Sequence, residues 1–546
     1  MKKFICTLSL VSLLFASCNK YLDVPPANNI YDEQIKELLA NGSEEVQQKI
    51  VAAMANKLVQ YMSYVDNGNQ YSTGSASYNN YYMNTLEYMH NLLGSDIVYG
   101  YGQDNDSRWY NLENLGNNRD DVVRGFWFLP ARSIAEANKV LMYMTKEAAE
   151  NSKLAADGRA RCLIVRAYNY MNLLETFQDA YLQGGKDKLG MPWYEEFDLN
   201  KVASRDATAQ ETYSKIIRDL EEAIALLSKA GVGYTSAATE VEDFDLGVAN
   251  FCLARAALWT GDWAKCISAC SAIINSGAYS LMKPENYGGH NIGESWAADD
   301  ILILPEDNGF ISVRNNSECI LGYRYGSSFT GNVTALNSVY RNIFSNSSAG
   351  TSGYPSHARI DDQLYKKIVA DDCRQDCFRP EAIGSYKYAT TTAQIGKYCN
   401  LKFAANRGLM EDGKTHYEEA DKVGLQEYCQ FRLGEVYLMK AEAELENGNT
   451  AAAESTMNTL LKARAKSGKN LTCASYGGIS KDMVRLQWRI EMWGENAREW
   501  ANNKRWGVTA SRDGSSVHWV KGSIDPAKLT SNLPDNEILY GCGQQN

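Results

Sequence analysis

The stretch GVANFCLARAALWTGDWAKCISACSAIINSGAY, residues 247–279, constrains the fold more than any other part of the chain. Its apolar residues recur every three to four positions, which is the helical period. Thr260-Gly261-Asp262 interrupts the pattern. A first helix therefore runs to about Trp259, and a second carries Trp263, Ile267, Cys270 and Ile274. Ala254, Ala256, Ala257 and Ala264 are small enough to let the two helices approach closely. The design recurs in RLGEVYLMKAEAELENGNTAAAESTMNTLLKARA. There Leu433, Tyr437, Ala441 and Leu445 form a stripe, and Asn447-Gly448-Asn449 makes the turn. Another stripe runs through Tyr213, Ile216, Ile217, Leu220, Ile224 and Leu227, with Gly231 past its end. Regions 122–145 and 155–178 read as a further pair.

Helix, tight turn, helix, with alanine at the crossings and an aromatic near the turn, resembles a tetratricopeptide unit. The copies are degenerate and widely spaced, so no regular array is expected. Between about 280 and 425 the period fails; Gly, Asn, Ser and Tyr dominate, with strand-like pieces such as ECILGYRY. The expected fold is mainly α: an irregular tetratricopeptide-repeat superhelix carrying a loop-rich, partly irregular second region.

The chain starts with two lysines and an apolar run from Phe4 to Ala16, then Ser17 and Cys18. Basic start, short apolar core and small residues before a cut describe a secretory signal. The run is too short for a bilayer, which takes about 20 residues. Ala16-Ser17-Cys18 resembles a bacterial lipobox, so Cys18 is expected to carry lipid and to become the first residue. The parts are then a signal (1–17), a lipidated tether and N-terminal segment (18–40), helix pairs with Tyr-rich loops (41–280), a loop-rich insert (281–425) and C-terminal helices (426–546).

The formal net charge is −11, and basic groupings are short, which argues against a nucleic-acid partner. Removing Cys6 and Cys18 leaves eleven cysteines, an odd number that cannot all pair. Cys252, Cys266 and Cys270 sit in apolar helical patterns, where a thiol acts as a small hydrophobe. Cys266-x3-Cys270 and Cys373-x3-Cys377 have half-site spacing for a metal. With five histidines and no CxxC, the apolar reading is favoured, and no metal or cofactor is expected. Gly408–Thr415 fits the phosphate-loop pattern, but its flanks supply neither strand nor helix, and Glu411 and Asp412 repel phosphate. Gln103-Asp104-Asn105-Asp106 lacks calcium-loop spacing. Carboxylate pairs such as Asp299-Asp300 and Asp371-Asp372 are expected on solvated faces among 66 acidic residues, and no catalytic signature occurs.

Tyrosine is in excess, with 34 against 14 phenylalanines, and ten of these tyrosines fall in residues 61–110. Sugars present flat C–H faces ringed by hydroxyls, and loops rich in Tyr, Trp and Asn match both parts. Most rings pack loops onto helices; a few are expected to face solvent. The candidates are Trp109 (beside Arg108 and Tyr110) and Trp296, with Tyr101, Tyr287 and Tyr323. By contrast Met483, Leu486, Ile490, Trp493, Ala497 and Trp500 are expected on one helical face, which assigns Trp493 to the core.

Several separate segments resemble the SusD/RagB family of outer-membrane lipoproteins. They are SCNKYLDVPP, RGFWFLPARSIAEANKVL, GRARCLIVRAYNYMNLLETF, the 253–281 repeat, RLGEVYLMKAEAELENGN and QWRIEMWGENAREWANNKRWG. In the last, Gln487-Trp488-Arg489 and Glu495-Asn496-Ala497-Arg498 depart from the family's usual pattern, while Arg505-Trp506-Gly507 keeps it. The resemblance implies a helical fold and a lipid-anchored, surface-exposed outer-membrane protein. It implies non-catalytic capture of a glycan and delivery to a SusC-like TonB-dependent transporter. Its alternative is peptide uptake of the RagB type; a glycan-degrading enzyme is the weaker rival. No ligand residue carries over from the motifs.

Overall fold

The computed structural model describes residues 32–63, 87, 89–98, 105–113, 116–198, 200–235, 243–289, 308–310, 313–324, 358–381, 383–388, 391–395, 397–403 and 427–542. Packing divides the chain into Met1–Met54 and Ala55–Asn546. In the first unit, helix α1 (Asp32–Asn41) stops at Gly42, whose N–H donates to the Leu38 carbonyl at 2.9 Å. Helix α2 (Glu44–Ser63) opens with Glu44 and Glu45, where the helix dipole favours negative charge. Its residues past Met54 belong to the second unit.

The second unit is mainly helical. After the short helix α3 (Asn105–Tyr110), successive helices lean on one another. Helix α4 (Asp121–Leu141) packs on α5 (Lys153–Phe177), α5 on α6 (Ala209–Ala230), α6 on α7 (Leu246–Thr260), and α7 on α8 (Trp263–Asn275). Helix α8 next meets α9 (Leu433–Glu446), far along the chain. Helix α9 then packs on α10 (Thr450–Ala463) and α11 (Lys481–Glu491). The stack thus skips residues 276–432 and resumes.

Local chemistry sets the boundaries. The Thr208 side chain accepts from the Glu211 N–H while Glu211 reaches back to the Thr208 N–H, a reciprocal capping box that starts α6. The expected turn Thr260-Gly261-Asp262 joins α7 to α8: Gly261 takes φ +77°, and the Asp262 carboxylate caps the Lys265 N–H at 3.1 Å. Asn447-Gly448-Asn449 does the same between α9 and α10, with Gly448 at φ +81°.

Between α8 and α9 the strand-like ECILGYRY does form a strand, Cys319–Arg324, antiparallel to Glu427–Arg432. A small sheet orders Ile97–Val98, Arg359–Ile360, Cys399–Asn400 and Phe378–Arg379 side by side. It ties the Tyr-rich segment to the middle of the chain.

The C-terminal stripe needs a correction. It is not one helix face. Helix α11 ends at Glu491, Gly494, Asn496 and Ala497 take positive φ, and α12 (Arg498–Trp506) starts afresh. The chain reverses there so that Glu491 and Glu495 both reach one buried cluster of cations. Trp493 lies in the break and is only 2% exposed, as its core assignment required.

Candidate functional site

Perturbed carboxylates commonly mark active sites, and two of this chain's, Glu491 and Glu499, fall in the C-terminal signature. Glu491 accepts from Arg432 (2.7 Å), Arg464 (2.7 Å) and Arg374 (3.0 Å). Glu318 accepts from Arg464 (2.6 Å) and Arg432 (3.0 Å), and Glu495 from Arg432 (2.6 Å) and Lys402 (2.5 Å). Asp372 pairs with Arg374. Four carboxylates balance three guanidiniums and one ammonium, all of them buried. Burial opposes the Glu491 charge, but the three guanidiniums outweigh it and hold its carboxyl well below the usual range. Such a neutral, closed cluster offers no exposed acid or base to a substrate. It locks the strand Glu427–Arg432 and helices α9, α10 and α11 in one geometry.

A second set of contacts builds a frame around residues 92–110. The Glu499 carboxylate accepts from Ser95 N (2.5 Å), Ser95 Oγ (3.0 Å) and Asp96 N (2.9 Å). Burial, then the charge of Asp96, pushes its carboxyl up to about 7. That value would suit a general acid, but Glu499 is buried and its oxygens are bonded to backbone. Gly94 makes the approach possible: a Cβ there would sit 2.0 Å from Glu499 Oε2. Arg489 grips Asp96 at 2.9 and 3.0 Å, and the Trp493 indole N–H donates to the Asp96 carbonyl at 2.9 Å. Arg512 donates to three carbonyls: Gly94 (2.9 Å), Tyr110 (2.6 Å) and Leu92 (2.6 Å). His518 bonds the Ser95 carbonyl and the Tyr110 hydroxyl.

The frame decides which rings face out. Trp109 has no exposed surface; it lies edge-on to Phe126 at 5.5 Å. The expectation that it meets sugar is therefore corrected: α3 turns it into the core. Tyr287 is corrected too. It is 2% exposed, donates to the Glu491 carbonyl at 3.0 Å and lies 4.5 Å beneath the Arg464 guanidinium. Arg108 is exposed on α3. Tyr323 lies in the strand Cys319–Arg324, opposite Tyr428. Tyr101, Trp296, Cys18 and the Gly408–Thr415 segment lie outside the described residues.

Sequence reasoning missed Trp519. Its indole is 37% exposed and lies 4.9 Å from the Tyr110 ring, tilted by 33°. The signal was an aromatic in a Gly- and Ser-punctuated segment, SRDGSSVHWVKGS. The cysteines at metal half-site spacing are buried free thiols, as are most of the others. Burial, first of all causes, raises Cys266, Cys373 and Cys377, which keeps them protonated. Among the described residues no group of three His, Cys, Asp or Glu is placed to hold a metal.

Two family models match the chain. One, described as the SusD family, matches residues 380–536; the other, described as starch-binding associating with outer membrane, matches residues 20–239. This is a SusD-like protein. Among solved structures, a SusD superfamily protein from Bacteroides thetaiotaomicron aligns with TM-score 0.65 and 17% identity over 91% of this chain and 99% of that one. A SusD superfamily protein from Bacteroides vulgatus aligns with TM-score 0.66 and 18% identity over 91% and 98%. Surface glycan-binding protein A from Bacteroides thetaiotaomicron, in complex with laminarihexaose, aligns with TM-score 0.60 and 16% identity over 90% and 97%. No curated protein matches the sequence. In the SusD-like chain the two matched spans meet at the frame: Gly94, Ser95, Asp96 and Tyr110 belong to one, and Arg489, Glu499, Arg512 and Trp519 to the other.

Proposed function

We propose that this SusD-like protein is a lipid-anchored surface protein that binds glycan without chemistry and passes it to a SusC-like TonB-dependent transporter. The observation that carries the reading is the exposed Trp519 indole, braced on Tyr110 at the foot of the Tyr-rich segment. An indole offers an apolar face for sugar C–H groups. Fixing it on a buried ring and a bonded backbone lowers the ordering cost of binding. Arg108, two residues from Tyr110, supplies a solvent-facing donor for hydroxyls. Trp296, Tyr101 and Tyr323 complete the proposed ligand set. The relative bound to laminarihexaose supports a glycan ligand, and the family description supports the outer membrane. Non-catalytic capture fits the closed acid clusters. No helix among the described residues is long and apolar enough to cross a membrane.

Stacking by a few rings gives affinities of about micromolar or weaker, since each ring contributes roughly 1 kcal/mol. Trp519→Ala should weaken binding of the best oligosaccharide from a glycan and peptide panel about fivefold to tenfold, with the melting temperature nearly unchanged. The recovered oligosaccharide should be uncut. Binding to peptides alone, or shortened sugar after incubation, would overturn the reading.

A further inference from the structure

A cavity of about 350 Å³ opens between helices α4 and α5, the segment 192–198 and the C-terminal helix α13 (Asp535–Tyr540). It lies at the lower end of the roughly 300–1,000 Å³ usual for small-molecule sites. Four rings line it: Trp127, Tyr170, Tyr194 and Phe197. Three carboxylates join them, Glu196, Asp198 and Glu537, and no lysine or arginine is in the lining.

The wall is built. The Tyr170 hydroxyl donates to the Pro192 carbonyl at 3.1 Å and accepts from the Tyr194 N–H at 2.8 Å. The Asn138 amide donates to the Tyr194 carbonyl at 2.8 Å. Tyr170 stacks on Trp193 at 4.1 Å, which steadies the ring from behind. The nearby guanidinium of Arg166 is spent elsewhere: it holds Asp219 at 2.7 Å and Asn138 Oδ1 at 3.0 Å. Arg218 is taken up by Glu195 and Asp219. Among the described residues, none of the three lining carboxylates is in an ion pair. Glu537 is half-buried, and burial raises its carboxyl while the Trp127 side chain bonds it. A carboxylate in that position is short of positive charge. The chain's own Lys139 ammonium stands 5.9 Å from the Phe197 centroid, so an ammonium already rests on one of these rings.

We infer that this cavity is a second ligand site, separate from the Trp519 surface, and that it takes a small organic cation. Aromatic faces attract a cation through their quadrupoles, and they do so more strongly for a weakly hydrated ammonium with an apolar body. The three carboxylates supply the opposite charge, and their sign rejects anions. A neutral sugar gains nothing from that charge. The site therefore recognises a ligand class different from the glycan proposed above, and each reading stands without the other.

Calorimetric titration of the purified chain with choline and with spermidine tests the inference. The neutral isostere 3,3-dimethylbutan-1-ol, which replaces choline nitrogen by carbon, is the control. At least one cation should bind saturably in the millimolar range or tighter, and the isostere should bind about tenfold more weakly than choline if choline is the binder. Glu537→Gln and Asp198→Asn keep shape and remove charge; together they should weaken the cation about tenfold while the melting temperature holds. Trp519→Ala should leave cation binding unchanged. Binding of neither cation, equal binding of the neutral isostere, or full cation affinity in the charge-removed double variant would overturn the inference.

Discussion

Trp493 and Gly94 show how much of this molecule rests on single side chains meeting across the chain. Trp493 lies edge-on to Phe378 at 4.8 Å and bonds the Asp96 carbonyl. Truncation leaves a void and takes away one of the two donors to that carbonyl, the Asp361 N–H remaining at 3.0 Å. Trp493→Ala should cost about 3–5 kcal/mol in denaturant titration. A loss below about 1 kcal/mol would contradict its core placement. Gly94 acts by having no side chain. Gly94→Ala puts a methyl group where Glu499 sits, so the carboxylate must leave the Ser95 and Asp96 N–H groups. Stranded buried donors make this variant about 1–3 kcal/mol less stable, measured the same way. At this scale the sequence was half legible. The spacing of Trp493 announced burial, whereas nothing local to Gly94 announces a glutamate from 405 residues on.

At the scale of elements, α12 works as a clamp on the segment 92–96. Its Glu499 carries the pH dependence of that clamp. An ordinary glutamate titrates near 4.5, and this one titrates at about 7. Between those values the folded chain keeps a proton that the unfolded chain has released. The group therefore makes the fold progressively less stable as pH rises from about 4.5 to about 7. Glu499→Gln cannot titrate, so its stability relative to the wild type's should rise between about pH 5 and about pH 7, the opposing effect of the depressed His90 and His518 being common to both. Denaturant midpoints at about pH 5 and about pH 7 check this. Parallel behaviour of the two proteins would remove Glu499 from the account. The break before α12 was the main element the sequence misjudged. Apolar spacing runs on through Trp493 to Trp500, but Gly494, Asn496 and Ala497 take left-handed backbone. Periodicity alone does not see a helix that stops and restarts in phase.

Across the whole molecule, helix pairs on either side of residues 276–432 lean on each other, and Tyr287, Glu318, Asp372, Arg374 and Lys402 from within that span are buried with them. The tether is expected to be independent of this body. Cys18→Ala should therefore move the protein from the membrane fraction to the soluble fraction and leave its melting temperature as it was. A variant that still pellets with membranes after a salt wash would refute lipidation at Cys18.

Local pattern by itself determined the helix pairs, their Gly and Asn turns and the strand within ECILGYRY. Those features depend on neighbours three or four residues away, and the chain states them openly. Which ring meets solvent was decided only by the tertiary structure. Helix α3 is six residues long, too short for its period to define a face. Trp109 goes inward because Phe126 takes its edge, and Tyr110 because His518, 408 residues later, takes its hydroxyl. Trp519 is left outward on top of them. Likewise the expectation that Asp372 lies on a solvated face is corrected, since it is buried against Arg374, and no local pattern marks Glu318, Lys402, Arg432 or Glu491 for burial. They are buried because distant segments bring four opposite pairs of charges into one place, where each is costly alone and affordable only together.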